Sequence, residues 1–268
     1  VNISHITTDK ERAFYASRDV ALDFCRFEGA ADGESALKES RDLTLSDCFF
    51  ALRYPLWHVE NCSLHRCEMT ETCRAALWYA TRVSASDCLL HGTKVLRESK
   101  QVSLEKCDMK SEECGWFCRD VRLSDVSAAG DYFLFHASQI EAKNLTFSGK
   151  YSFQYTENVL LDACTLDTKD AFWHAENVTV RNSVIKGEYL GWYSNGLTLI
   201  NCRIEGTQPL CYCKRLTLIN CTVTHGDLAF EYSDVCASVR GKIDSVKNPC
   251  AGHIEADEIG EIIRDEHA

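Results

Sequence analysis

NGLTLINCRIEG runs from Asn195 to Gly206, and KRLTLINCTVTHG, from Lys214 to Gly226, repeats its core nineteen residues later. Setting Leu197 as offset 0 places Leu199 at +2, Cys202 at +5 and Ile204 at +7. Steps of nineteen from Val83 then reach Val102, Val121, Ile140, Val159, Val178, Leu197, Leu216, Val235 and Ile254. Backward steps of 21, 19, 23 and 19 reach Cys62, Leu43, Val20 and Val1. All fourteen residues are apolar; with 45% hydrophobic residues overall, chance agreement is about one in a hundred thousand.

The other columns are as ordered. Offset +5 is Cys in Cys25, Cys48, Cys67, Cys88, Cys107, Cys164, Cys202 and Cys221, and +7 runs through Phe27, Phe50, Met69, Leu90, Phe147, Ile185 and Val223. The spacing of two, three and two is the strand period interrupted by a bend. Offset +4 falls in that bend and is Asp or Asn in Asp47, Asp87, Asp125, Asn144, Asn182, Asn201 and Asn220, the residue types that tolerate a left-handed backbone. Gly recurs at +9, from Gly29 to Gly206. A third strand is expected from about +11 to +16, as in Tyr132–Ala137 and Ala171–Ala175.

Three short strands and three bends per nineteen residues predict one turn of a parallel β-helix. The expected fold is all-β, a single parallel β-solenoid domain over residues 1–268 with about fourteen turns, 1–19 forming the first turn and 235–268 a less regular closing piece. Helical repeats need longer units, and the Asn/Cys signature and helix of leucine-rich repeats are absent. The loops Glu28–Leu37 and Arg66–Leu77 lengthen the second and fourth turns. Val1 already occupies offset 0, so the first strand has an open edge; either Ile6 to Phe14 folds over it or a second copy covers it, making a homo-oligomer.

Net charge is -11 with no Lys/Arg cluster, which argues against nucleic acid and anionic membrane as partners. No apolar run approaches a membrane span, and the start has no apolar block of signal-peptide length. Sixteen Cys in a chain of 268 residues, mostly at a strand-like inward offset, predict reduced buried thiols and a cytoplasmic protein. The CxC of Cys211–Cys213 and the CxxxC of Cys114–Cys118 lack zinc-site spacing, so neither metal nor cofactor is expected.

The segment ENVTVRNSVIKGEYLGWYSNGLTLINCRIEG (176–206), the phrase YPLWHVENC (54–62) and LAFEYSDVCASVRGKIDSVKNP (228–249) resemble a family of bacterial proteins of unknown function. That family lies among pectate-lyase-like, single-stranded right-handed β-helix proteins. The resemblance covers nearly the whole chain and implies the fold and its hand. It brings no catalytic residues with it, and the lyases and glycosidases of the wider group are an analogy only.

All five Trp share offset +14: Trp57, Trp78, Trp116, Trp173 and Trp192; Phe230, Lys38, Arg97 and Gln154 share it too. Offset +15 holds Glu39, His58, Tyr79, Glu98, Phe117, His136, Tyr155, His174, Tyr193, Tyr212 and Glu231, and +16 is small. Small residues at +16 make +15 outward, whereas Leu or Phe at +13 argues the opposite register. The functional reading is an exposed strip of Trp57, His58, Trp78, Tyr79, Trp116, His136, Tyr155, Trp173, His174, Trp192, Tyr193 and Tyr212 whose flat rings stack on sugars. It gives a non-catalytic carbohydrate-binding or structural protein. The plainer reading is an aromatic column completing the core beside a solvated one. The enzymatic alternative is a polysaccharide lyase or glycosidase, with His136, Tyr155, His174 and Tyr193 central and Asp131 or Asp170 at the rim. Against it, no two acids are neighbours at +15, and His136 and His174 stand two turns apart, an awkward span for shared zinc.

Overall fold

A computed structural model describes residues 1–265, and among these all 25 named elements are strands. The chain divides into two compact units, the first ending at Leu134 and the second beginning at Phe135. Each is a right-handed parallel β-solenoid, and the chain counts about fourteen turns of about 19 residues.

In the first unit one sheet is built from Arg18–Asp23, Arg41–Ser46, Glu60–His65, Thr81–Ser86, Lys100–Glu105 and Arg119–Ser124, paired in parallel. Short strands such as Phe49–Phe50, Leu89–His91 and Asp108–Lys110 form a second sheet. The second unit repeats the plan with Ser138–Lys143, Glu157–Asp162, Glu176–Arg181 and Asn195–Ile200, and with Thr146–Lys150, Thr165–Lys169 and Val184–Lys186. Val83 faces Val102 and Val102 faces Val121; Val159 faces Val178 and Val178 faces Leu197. The stretched steps also hold, Val20 facing Leu43 and Cys62 facing Val83. Offsets 0 and +2 are buried from Val20 and Leu22 through Val235 and Ala237 because every second side chain of a strand points inward.

The bend at +4 is left-handed as expected, with φ of 52° at Asp47, 55° at Asn144 and 52° at Asn201. A second left-handed position precedes offset 0, at Asp42, Asn61, Asp120, Asn158 and Asn177. Amide side chains at +4 bond from turn to turn: Asn201 Nδ2 donates to Asn182 Oδ1 at 3.2 Å and Asn220 Nδ2 to Asn201 Oδ1 at 2.7 Å. The eight +5 cysteines are buried. Their thiols point at carbonyls of the preceding turn, Cys202 Sγ to Val180 O at 3.4 Å and Cys221 Sγ to Leu199 O at 3.3 Å. Cys suits this corner as a small apolar side chain with a weak donor. Burial pushes the Cys73 thiol up to about 12 and the Cys213 thiol up to about 11.

Three expectations are corrected. The segment from +11 to +16 is not a strand: left-handed residues alternate along it, as at Tyr132, Leu134 and His136 or Asp170, Phe172 and His174, and the ribbon is a chain of turns. Ile6 to Phe14 does not fold over the first strand; Thr7–Thr8 pairs with Arg26–Phe27, and Phe14 N–H donates to Ala36 O, so the segment simply continues its own turn. The C-terminal piece contains two long strands, Asp234–Lys247 and Ala251–Ile263, paired around one irregularity between Val239 and Lys242. Its last step is also shorter than nineteen, because Val235 faces Gly252 and Ile254 faces Ala237.

Gly206 and Gly241 both have positive φ, 145° and 82°, but a Cβ at Gly206 meets Gly187 O at 2.1 Å while one at Gly241 meets nothing within 4 Å. Gly241→Ala is expected to cost about 1–2 kcal/mol from its left-handed backbone alone. Gly206→Ala must in addition push two turns apart, so its urea midpoint falls well below that of Gly241→Ala; equal midpoints in the two variants would refute the close stacking.

Candidate functional site

The alternation of left-handed residues decides which column meets water. In a strand +12 and +13 would face opposite sides. Here both are buried, as in Phe133 and Leu134, Ser152 and Phe153, or Ala171 and Phe172. Offset +16 is also buried, in Ala137, Thr156, Ala175 and Ser194. Offset +14 is half-buried at all five Trp, and +15 is exposed at His58, Tyr79, Phe117, His136, Tyr155, His174 and Tyr193. The two registers left open by the sequence are thus both partly right: the small and the large apolar columns are inward together.

The Trp column is structural. Trp116 Nε1 donates to Tyr132 O at 2.9 Å, Trp173 Nε1 to Tyr189 O at 2.7 Å and Trp192 Nε1 to Gln208 O at 2.8 Å. Gln154, at the same offset, places its amide on Asp170 O at 2.8 Å. Each side chain caps the ribbon of the next turn, satisfying a carbonyl the turns leave unpaired. Trp57 packs on Trp78 with centroids 4.8 Å apart. Arg97 replaces an aromatic in this column and lies between Trp78 and Trp116, 4.9 Å from each ring, with Glu113 3.3 Å from its Nη1. A cation held between two rings and paired with a carboxylate is accommodated where a bare Arg would be costly.

The +15 column differs between the units. In the second unit its rings form one continuous pile. His136 and Tyr155 have centroids 4.7 Å apart, Tyr155 and His174 4.8 Å, His174 and Tyr193 4.9 Å, and Tyr193 and Tyr212 4.8 Å, with planes within 13° of parallel. Tyr232 extends it at 5.9 Å. The expected register slips by one residue here: Phe230 is fully buried at the +13 position, Glu231 takes +14 and Tyr232, not Glu231, takes +15. In the first unit the acids Glu39 and Glu98 interrupt the column, and His58 and Tyr79 meet edge-on at 6.3 Å. Ring faces in the pile cover one another, so they do not offer the flat stacking surface expected for sugars. What they present outward is edges, with phenol hydroxyls and imidazole nitrogens.

Burial lowers the His136 pKa, favouring the neutral ring. Burial is also the largest effect raising the Tyr212 phenol, followed by the Glu231 charge. Of the proposed rim acids, Asp131 N–H donates to Glu112 Oε2 at 2.7 Å. Asp170 is 6% exposed, with Oδ1 lacking a hydrogen-bond partner. Its carboxyl is raised first by burial and then by Glu188, with Lys169 opposing. One acid pair escaped the sequence reading because it lies at +17: Glu157 and Glu176, both exposed, face each other in register on neighbouring strands beside Tyr155 and His174. Among the described residues no group of three His, Cys, Asp or Glu is placed to hold a metal ion, and no helix is long and apolar enough to cross a membrane.

The parallel, in-register sheets of each unit define the class as right-handed parallel β-solenoid proteins. Within it, the chain belongs to the family described as "Protein of unknown function (DUF3737)", whose model matches residues 2–268. No curated protein matches the chain. Among solved structures it is similar to the catalytic domain of a GH87 alpha-1,3-glucanase in complex with nigerose, with 12% identity over 87% of this chain and 55% of that one and a TM-score of 0.36. It is also similar to Bacteriophage CBA120 tailspike protein 3, with 11% identity over 97% and 51% of the chains and a TM-score of 0.40. The Azotobacter vinelandii mannuronan C-5 epimerase AlgE6 A-module gives 11% identity over 98% and 88%, with a TM-score of 0.30. The chain thus spans about half the length of the first two.

Asp170 yields a signed pH dependence. A carboxyl whose folded pKa is raised contributes most below its unfolded pKa, about 3.9, and that contribution fades as pH climbs through the folded value. Asp170→Asn should therefore lose this decline and melt higher than the parent at pH 7, with little difference near pH 3. A variant that melts lower at neutral pH would show the carboxylate to be stabilising as an ion.

Proposed function

We propose that the His/Tyr pile of the second unit is a non-catalytic binding surface for an extended carbohydrate chain. The carrying observation is the unbroken series His136, Tyr155, His174, Tyr193 and Tyr212 at 4.7–4.9 Å intervals. A polymer lying along it meets a polar ring edge at every rung, and hydroxyl-rich repeating units are the natural complement of phenols and imidazoles. The even spacing of the rungs supports binding over turnover. The thiol form of all sixteen Cys supports placing the protein in a reducing compartment, the cytoplasm.

The test is a glycan array followed by calorimetry. Tyr155→Phe, Tyr193→Phe and Tyr212→Phe keep the rings and delete the hydroxyls. Each should weaken a bound oligosaccharide by roughly 1 kcal/mol, about fivefold, with the melting temperature nearly unchanged. An array without a hit, or a triple variant that binds as the parent does, rejects this reading.

Glu157 and Glu176 favour a second reading. Acids on neighbouring strands stand ~4.8 Å apart at the backbone, near the roughly 5–5.5 Å separation of retaining glycosidases. If the surface cleaves what it binds, product analysis shows new reducing ends that Glu157→Gln and Glu176→Gln each abolish without loss of binding. Intact ligand after long incubation leaves the non-catalytic reading standing alone.

A further inference from the structure

The first unit carries a groove that the ring pile does not involve. It is a cavity of about 480 Å³ running between offsets +15 and +17, lined by Glu39, His58 and Tyr79 on one side and Arg18, Arg41 and Glu60 on the other. It opens because Ala16 stands at +15 in the first turn, where later turns have larger side chains.

Its charges are unevenly matched. Glu60 is taken up twice, 3.3 Å from Arg41 Nε and 2.6 Å from Arg82 Nη2. Glu39 accepts the Tyr15 hydroxyl at 2.7 Å. Arg18 is exposed and makes no ion pair among the described residues. It faces Arg41 in register on the neighbouring strand. Like charges directly opposite are destabilising, and only Arg41 of the two has a carboxylate partner among the described residues. An anion between the two guanidinium groups would remove that repulsion.

We infer that this groove binds a tetrahedral oxyanion, a phosphate or sulfate monoester, carried on a small polyhydroxylated ligand. The geometry selects the anion. A planar carboxylate satisfies one guanidinium fork with its two oxygens, whereas three terminal oxygens in a tetrahedron serve both Arg18 and Arg41. The hydroxylated body then lies toward His58 and Tyr79, whose polar edges line the same cavity. The assignment is independent of the ring pile, which lies in the other unit.

The full chain is titrated by calorimetry at low ionic strength with a hexose phosphate, a hexose sulfate, glucuronate and the parent hexose. Saturable binding of either monoester is expected, with no detectable binding of the hexose, and the tighter monoester identifies the source of the oxyanion. Arg18→Gln, which breaks no ion pair among the described residues, should weaken that binding about tenfold, the loss expected for one charge-assisted group. Arg18→Lys should restore part of it. Tyr193→Phe should leave it unchanged, which separates this site from the carbohydrate surface. Absence of binding by both monoesters, glucuronate binding as tightly as they do, or an unaltered affinity in Arg18→Gln would each overturn the inference.

Discussion

Hydrogen bonding between one turn and the next governs this molecule. A parallel ladder in register obliges each offset to repeat its neighbour's backbone geometry. A bend placed one residue early would turn every inward side chain of that strand outward. Left-handed residues therefore recur in columns, not as scattered exceptions: at +4, before offset 0, and through the ribbon from +11 to +15. Each costs about 1–2 kcal/mol in isolation for a residue with a Cβ. The stacked backbone bonds on both sides offset that cost, because a single turn relaxing alone would lose them all.

This explains which parts of the fold the sequence displays. The inward offsets are legible because burial filters them for apolar residues over twelve repeats, from Val20 to Val235. The +4 bend is legible because Asp and Asn carry their own tolerance of the left-handed region. The ribbon is not, because its left-handed positions hold Tyr, Phe, Leu and His, which locally favour strands. Tertiary stacking overrides propensity there. The one local signal is at +13, where Gly115 and Gly191, with φ of 68° and 73°, stand in the column otherwise held by Leu96, Leu134, Phe153 and Phe172. A strand has no use for that interchange of Gly with large apolar residues, whereas a left-handed turn over a packed core does.

The candidate strip was legible as a set of residues but not as a surface. Its two columns have different fates, since Trp is held at +14 by carbonyls of the next turn while His and Tyr at +15 meet water. Alternation rules cannot separate them once the chain is not extended. The in-register pairs Arg18 with Arg41 and Glu157 with Glu176 were hidden for a simpler reason. They lie at the first residue of the long strand, a position with no apolar filter and therefore no column to notice.

How the rings stack also limits what kind of recognition this surface can perform. Rings 4.7–4.9 Å apart and within 13° of parallel have already given their faces to one another. That contact stabilises the solenoid and fixes the edges in a line, so little ordering remains to be done on binding. It also removes the apolar faces that would otherwise supply affinity. The exposed remainder is directional: a donor or acceptor at each rung, satisfied only by a ligand with polar groups at matching intervals. Discrimination by such groups is strong, because a mismatched partner leaves a dehydrated hydroxyl or imidazole unpaired. On the proposed reading such a surface would trade strength per contact for repetition, and its affinity would grow with the number of rungs a ligand spans.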